Sequence, residues 1–248
     1  FYSEVEERLM RINFAKKMKA EIDLSMFYHT GTIAEIVSLK NYLTEWSKTG
    51  KEDNIDRWIR MVATNRLTGH SKNFFSVYTL PPNQAISPER QKKINKERNQ
   101  KPAYKDVKKI ILKKTVDLTK GINDNIIQKL KVINQKSRFL IDDARETKSI
   151  KPNSINLTVT SPPFLDVVNY KDDNWLRCWF NNIDTEETSN KITISKKLPD
   201  WEEVMGGVFN ELYRITKKNG WVAFEVGEIR KGKVKLDEHI VPIGLQAG

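Results

Sequence analysis

Four consecutive residues, Ser161, Pro162, Pro163 and Phe164, carry the clearest sign of chemistry in the sequence. Two adjacent prolines fix the backbone and remove two N–H donors, so the segment presents carbonyl groups as acceptors. A rigid group of acceptors suits an exocyclic amino group, because an –NH₂ group offers two donors. An aromatic fourth residue can stack on a base lifted out of a nucleic-acid helix. By itself the tetrapeptide is also typical of an ordinary loop after a strand.

The elements around this tetrapeptide alternate between strands and helices. Residues 155–160 have alternating apolar positions, which predict a strand that ends directly before Ser161. Residues 201–215 form an amphipathic helical pattern, and the apolar residues 221–226 predict a buried strand after it. A short apolar run that ends in acidic residues, 138–143, comes first. This alternation predicts an α/β fold with a mainly parallel sheet, helices on both faces and ligands beyond the carboxyl ends of the strands.

This ordered set resembles the amino-group DNA methyltransferases, which use S-adenosylmethionine to methylate cytosine N4 or adenine N6. Residues 161–164 are similar to the family's catalytic motif, (S/D/N)PP(Y/F), and residues 143–145 resemble its acidic motif just upstream. The resemblance covers about residues 138–248. It implies part of a Rossmann-like three-layer methyltransferase sheet, and S-adenosylmethionine as cofactor, contacted by Asp143 and Thr160.

The resemblance also implies a mechanism. A flipped base places its amino group against Ser161 and the Pro162 carbonyl, Phe164 stacks on the ring, and the methyl group transfers directly. In this family serine at the first motif position is typical of cytosine-N4 enzymes, and Asp or Asn of adenine-N6 enzymes. Ser161 therefore favours cytosine N4, with adenine N6 as the alternative.

The family's cofactor motif, an aromatic residue followed by G-x-G, has no counterpart here. No two of the eleven glycines are separated by a single residue. Three explanations stay open: the motif lies outside a fragment, a second subunit supplies it, or the protein is inactive. The abrupt ends of the chain, Phe1 and Gly248, favour a fragment. An inactive chain would be a DNA-binding or specificity subunit with a degenerate methyltransferase fold.

Residues 1–137 form the other predicted region, a mostly helical and basic segment. Apolar residues recur at helical spacing over 5–18, 33–46 and 55–62. An aromatic, proline-containing stretch at 73–84 interrupts the helices. The position of this region, before the catalytic motif, suits target recognition and DNA binding.

The charge of the chain favours double-stranded DNA as partner. There are 43 Lys and Arg against 32 Asp and Glu, a net charge of +11. Ten basic residues against two acidic ones lie in 91–114. The candidate phosphate contacts are Lys92, Lys93, Lys96 and Arg98, and the second candidates are Arg57, Arg60 and Arg66. A solvated helix face is the alternative interpretation of the 91–114 run.

Several other classes are excluded by residue usage. The lone Cys178 allows no disulfide framework, and it follows Arg177 rather than a proline, so it is not the nucleophile of a cytosine-C5 enzyme. The three histidines have no metal-ligand spacing, so no metal is predicted. No apolar run is long enough to span a membrane. We expect a cytoplasmic protein, with a restriction endonuclease or a second subunit as further partners.

Overall fold

The computed structural model describes residues 1–80, 86–163, 165, 170–187, 197–229 and 232–248. The chain forms two compact units. Unit 1 comprises Phe1–Gln128 and Tyr170–Glu186, and unit 2 comprises Lys129–Asn169 and Glu187–Gly248. The sequence gives no signal that a segment after the catalytic motif packs with the first unit.

Unit 1 is built from helices around an apolar core. Asp53 caps one of them, accepting hydrogen bonds from the Ile55 and Asp56 amides at 2.9 and 3.0 Å while the Asp56 carboxylate accepts from the Asp53 amide. The helices are α1 (Tyr2–Arg11), α2 (Thr30–Lys48), α3 (Asn54–Arg66), α4 (Pro88–Glu97), α5 (Val107–Thr119) and α7 (Tyr170–Asn181). Helix α6 (Asp124–Lys136) and strand β1 (Ile155–Thr160) lie between α5 and α7 in the sequence. The mostly helical character predicted for the first region is confirmed.

Two helices differ from expectation. The first helix ends at Arg11 instead of reaching residue 18, because buried Ile12 is extended (φ −72°, ψ 128°) and the chain turns to place the Ala15 amide on Ser38 Oγ at 3.1 Å. Helix α7 brings fully buried Phe180 into the core of unit 1. None of the helices in the described ranges combines the length and apolar composition needed to cross a membrane.

Unit 2 contains a small parallel sheet. Strand β1 pairs with β2 (Thr216–Phe224) in parallel, with Thr160 opposite Phe224. Helix α8 (Leu198–Ile215) leads into β2, and β3 (Glu228–Ile229), β4 (Val234–Lys235) and α9 (Leu236–Ala247) follow. The strand predicted at 221–226 begins earlier, at Thr216, and ends at Phe224, and its pairing is irregular, since Ile155 pairs with Thr216 but Leu157 with Trp221.

The sheet has one covered and one open face in the described residues. Val222 and Phe224 pack with the apolar face of α8, whereas Leu157, Val159 and Trp221 are 57, 73 and 75% exposed. The predicted mixed α/β fold with a parallel sheet is confirmed. The prediction of helices on both faces of the sheet is not met in the described residues, where only one face is covered.

The strand expected at 138–143 does not form. Phe139 and Ile141 are 93 and 101% exposed, and the described backbone there makes only a local bridge between Asp143 and Glu146. A short apolar run becomes a strand only where a neighbouring strand accepts its hydrogen bonds, and none of the described strands lies beside it.

Candidate active site

The motif segment begins where β1 ends, at the carboxyl edge of the sheet. The Glu225 amide donates to the Thr160 carbonyl at 2.9 Å and holds the exit of the strand. Ser161 is exposed, Pro162 is buried and Pro163 is half-buried. The Ser161 hydroxyl has no hydrogen-bond partner among the described residues, so its donor and acceptor capacity are unused within this part of the chain.

The two proline carbonyls have different surroundings. The indole N–H of Trp201 donates to the Pro163 carbonyl at 3.2 Å, and Trp201 is 1% exposed. Within the described part of the chain, the Pro162 carbonyl accepts no hydrogen bond. The arrangement therefore fixes the loop through the Pro163 carbonyl and leaves the Pro162 carbonyl without a described partner.

A cleft of about 480 Å³ lies inside unit 2 and is lined in part by this loop. Its walls are β1, the inner face of α8 and the 144–150 segment, and its lining includes Thr160, Ser161, Pro162 and Pro163. Small-molecule sites typically occupy about 300–1,000 Å³ and are mostly apolar with a few polar groups. The cleft has this size and this character.

One buried carboxylate holds the 144–150 wall against α8. Glu211 accepts from the Thr147 amide at 2.7 Å and from its hydroxyl at 2.5 Å. Arg214 reaches the same carboxylate at 2.6 and 2.7 Å and also donates to the carbonyls of Thr147 and Ile150. The hydrogen bonds from Arg214 lower the pKa of Glu211 to about 2. The wall is therefore fixed by charge-assisted hydrogen bonds.

The predicted cofactor residue Asp143 lies just outside this cleft. Its carboxylate is held by the Arg145 guanidinium at 2.6–3.2 Å, and these hydrogen bonds lower the pKa of Asp143 to about 2. The Arg145 side chain in turn lies over Gly207 of α8, where a Cβ would come within 3.2 Å of it. Ala144, the next residue, lines the cleft.

Comparison of the chain with protein-family models, with curated proteins and with solved structures gives no match. The resemblance to amino-group methyltransferases consequently depends on the motif and on the elements around it.

The structure brings some of the predicted site residues together and separates others. Thr160, Ser161, Pro162 and Pro163 share the cleft. Phe164 lies outside the described residues. The predicted phosphate contacts belong to unit 1: Lys92, Lys93 and Lys96 are exposed on α4, and Arg98 directly follows it. Gln91 and Ile94 form the buried face of the same helix.

The second candidates for phosphate contact differ among themselves. Arg60 forms an ion pair with Glu52 at 2.6 Å, and Arg57 lies 3.9 Å from the same carboxylate. Arg66 instead stacks on the ring of Phe74 at 4.1 Å. The first two are therefore engaged within the protein, and Arg66 is not held by a described carboxylate.

The described residues do not form a complete binding site for S-adenosylmethionine. The cleft offers an apolar wall and the Ser161 hydroxyl, but the carboxylates of Asp143 and Glu211 are already occupied by arginines. No glycine pair of the G-x-G type exists to let the backbone approach a ligand closely.

The other titratable candidates carry no site. Cys178 is half-buried on α7, and burial raises the pKa of its thiol. In the described ranges no three His, Cys, Asp or Glu side chains gather in a way that could hold a metal ion. His239 contacts Glu202 at 2.7 Å.

Sequence reasoning missed Glu211 and Arg214. The available signal was the position of Glu211 on the apolar face of α8, three residues after Val208 and four before Ile215. A charged residue at such a position requires partners.

Proposed function

We propose that this chain provides the amino-group-binding part of an S-adenosylmethionine-dependent DNA methyltransferase, with cytosine N4 as the favoured acceptor and a Rossmann-like sheet as its framework. The observation that carries the proposal is the placement of Ser161 and the Pro162 carbonyl, both without partners among the described residues, at the mouth of a cleft beyond the carboxyl end of a parallel strand.

Three actions follow for the residues of this chain. The Ser161 oxygen and the Pro162 carbonyl accept the two N–H groups of the target amine and orient its lone pair. Trp201 and the Glu211–Arg214 pair hold the loop and the cleft wall in place. Because positioning supplies the rate, no nucleophilic side chain is required. The methyl group itself comes from the cofactor, for which the described residues provide no complete site.

A second function is favoured by the missing G-x-G motif. A DNA-binding or specificity subunit would keep the cleft and the basic surface of unit 1 without transferring methyl groups. Adenine N6 remains the alternative acceptor within the first proposal.

Transfer of a radiolabelled methyl group to DNA tests the proposal. Ser161→Ala should lower the rate at least about 100-fold while DNA affinity stays within a few-fold, because only the positioning of the amine is lost. Ser154→Ala is a matched control, since Ser154 precedes β1 and its hydroxyl bonds to the Lys151 carbonyl away from the motif. Equal rates in both variants would show that this loop does not bind the acceptor.

A further inference from the structure

Two arginine side chains of unit 1 lie over aromatic rings of one irregular segment, residues 69–80. The Arg66 guanidinium carbon is 4.1 Å from the centre of the Phe74 ring, and that of Arg98 is 3.8 Å from the Tyr78 ring. Both distances are those of a cation–π contact. The acceptor site of unit 2 uses neither pair.

The rings are held rigidly. Lys105 Nζ donates to the Phe74 carbonyl at 2.9 Å and also to the Ser76 carbonyl. A Cβ at position 69 would come within 2.5 Å of the Phe74 ring, so Gly69 is needed for the ring to lie against the backbone. Phe74 is therefore a fixed support for Arg66.

The second ring is fixed by amide side chains. Gln91 Nε2 and Gln100 Nε2 each donate to the Tyr78 carbonyl at 3.0 Å, and both also donate to Asn95 Oδ1. Asn95 in turn donates to the Met26 carbonyl at 2.7 Å. This network ties α4 and residue 98 to the segment that carries Tyr78.

Most other arginines of unit 1 have carboxylate partners. Arg8 pairs with Asp56 at 2.6 Å, and Arg11 pairs with Glu7 at 3.5 Å. By contrast, no described carboxylate lies within ion-pair distance of Arg66 or Arg98.

No described anion within ion-pair distance neutralises the charge of Arg66. Its Nε is buried and has no hydrogen-bond acceptor among the described residues. Burial lowers the pKa of Arg66 more than the more distant Asp117 raises it, and an arginine stays charged under such shifts. Two exposed lysines lie close to Phe74. Lys72 is two residues before it in the sequence, and Lys113 Nζ donates a hydrogen bond to Asn73 Oδ1 at 3.1 Å.

The N–H groups of a guanidinium stacked on a ring point along the plane of the stack; in Arg66, whose Nε is buried, the two Nη groups are the ones left for an anion. The fork of N–H groups matches the oxygens of a phosphate, and holding it on a ring reduces the side-chain entropy lost on binding. Clustered cations that neutralise backbone phosphates and release counterions are the usual basis of DNA binding. The chain's net charge of +11 favours the same partner.

We propose that Arg66 on Phe74 and Arg98 on Tyr78 form a DNA-phosphate contact surface in unit 1. The two stacked arginines, rather than the arginines already paired with carboxylates, bind the backbone of duplex DNA. This inference rests on the DNA partner of the proposed function and is independent of methyl transfer.

The test is a salt titration of binding to a 20-base-pair duplex by the full chain. The slope of log affinity against log salt is negative. Changing Arg66 and Arg98 to Gln should reduce its magnitude by about 1.8, at about 0.9 for each phosphate contact. The control, Arg11→Gln with Lys148→Gln, removes the same charge from exposed cations paired with carboxylates and should leave the slope nearly unchanged.

A third variant separates stacking from charge. Tyr78→Leu keeps every cation and should weaken binding roughly twofold to fivefold, the worth of an exposed cation–π contact, with the slope unchanged. Thermal melting of each variant confirms that it is folded.

Three results would overturn the inference: a slope equal to that of the wild type in the Arg66, Arg98 variant, an equal fall in the control, or equally tight binding of polyglutamate. Methyl transfer by Ser161→Ala is measured separately. A reduced slope in the Arg66, Arg98 variant together with undiminished methyl transfer in Ser161→Ala would contradict the proposed function alone. A wild-type slope in the Arg66, Arg98 variant together with lost transfer in Ser161→Ala would contradict the contact surface alone.

Discussion

The indole N–H of Trp201, near the start of α8, donates a hydrogen bond to the carbonyl of Pro163 at 3.2 Å. This bond connects the motif loop to the helix that covers the sheet. It also distinguishes the two prolines, because the Pro163 carbonyl is occupied while that of Pro162 lies free of described partners beside Ser161.

The Trp201 hydrogen bond should stabilise unit 2. Trp201→Phe removes the donor and leaves a small cavity, so we expect a loss of about 1–3 kcal/mol in the free energy of unfolding, measured with urea. Trp221→Phe is the matched control and should cost less than about 0.5 kcal/mol, since Trp221 is 75% exposed. Equal losses would mean that the bond to Pro163 does not hold the loop.

Glu211 should make stability depend on acid pH. Its pKa is about 2 in the folded protein, against an ordinary value of 4.5, so its contribution is complete above pH 4.5 and is lost as the pH falls towards 2. Urea unfolding at several pH values between about 6 and 2.5 should therefore show a shallower decline for Glu211→Gln than for the wild type. Glu203→Gln, on the exposed side of α8, should follow the wild type. Parallel curves for all three proteins would contradict the role given to Glu211.

The glycine inventory predicts weak cofactor binding. Without a G-x-G turn, and with Asp143 and Glu211 both held by arginines, this chain should bind S-adenosylmethionine with an affinity weaker than micromolar. Isothermal calorimetry measures this directly. Micromolar affinity would show that the described cleft forms a complete cofactor site.

The exposed face of α4 gives a separate prediction. If Lys92, Lys93 and Lys96 contact phosphates, changing all three to Gln should lower the salt slope of DNA binding by about 0.9 for each contact, with no change in base preference. A wild-type slope would mean that these lysines form a solvated helix face, as the 3.9 Å pair of Lys93 with Glu97 also allows.

The local patterns predicted the elements that surround the motif. The alternation over 155–160 and the amphipathic spacing over 201–215 both correspond to observed elements. The apolar face of the helix is buried as its pattern predicts, whereas Leu157 and Val159 of the strand lie on its exposed face in the described part of the chain. The placement of Thr160 to Pro163 at a cleft also follows from a strand ending at residue 160.

Features that depend on distant partners could not be predicted. The 138–143 run has strand composition but no described strand beside it, and α7 packs into unit 1 across a long separation in sequence. The hydrogen bonds of Glu211 to Thr147 span 64 residues. No local pattern specifies such pairings.

The identity of the methylated nucleoside tests the central claim most directly. Mass spectrometry of DNA from cells that produce the full protein should show N4-methylcytosine, with N6-methyladenine as the alternative amino-group product, and neither should appear above background with Ser161→Ala. Methylated amino groups at undiminished levels in Ser161→Ala, or 5-methylcytosine as the product, would contradict the assignment of this loop to the acceptor amine.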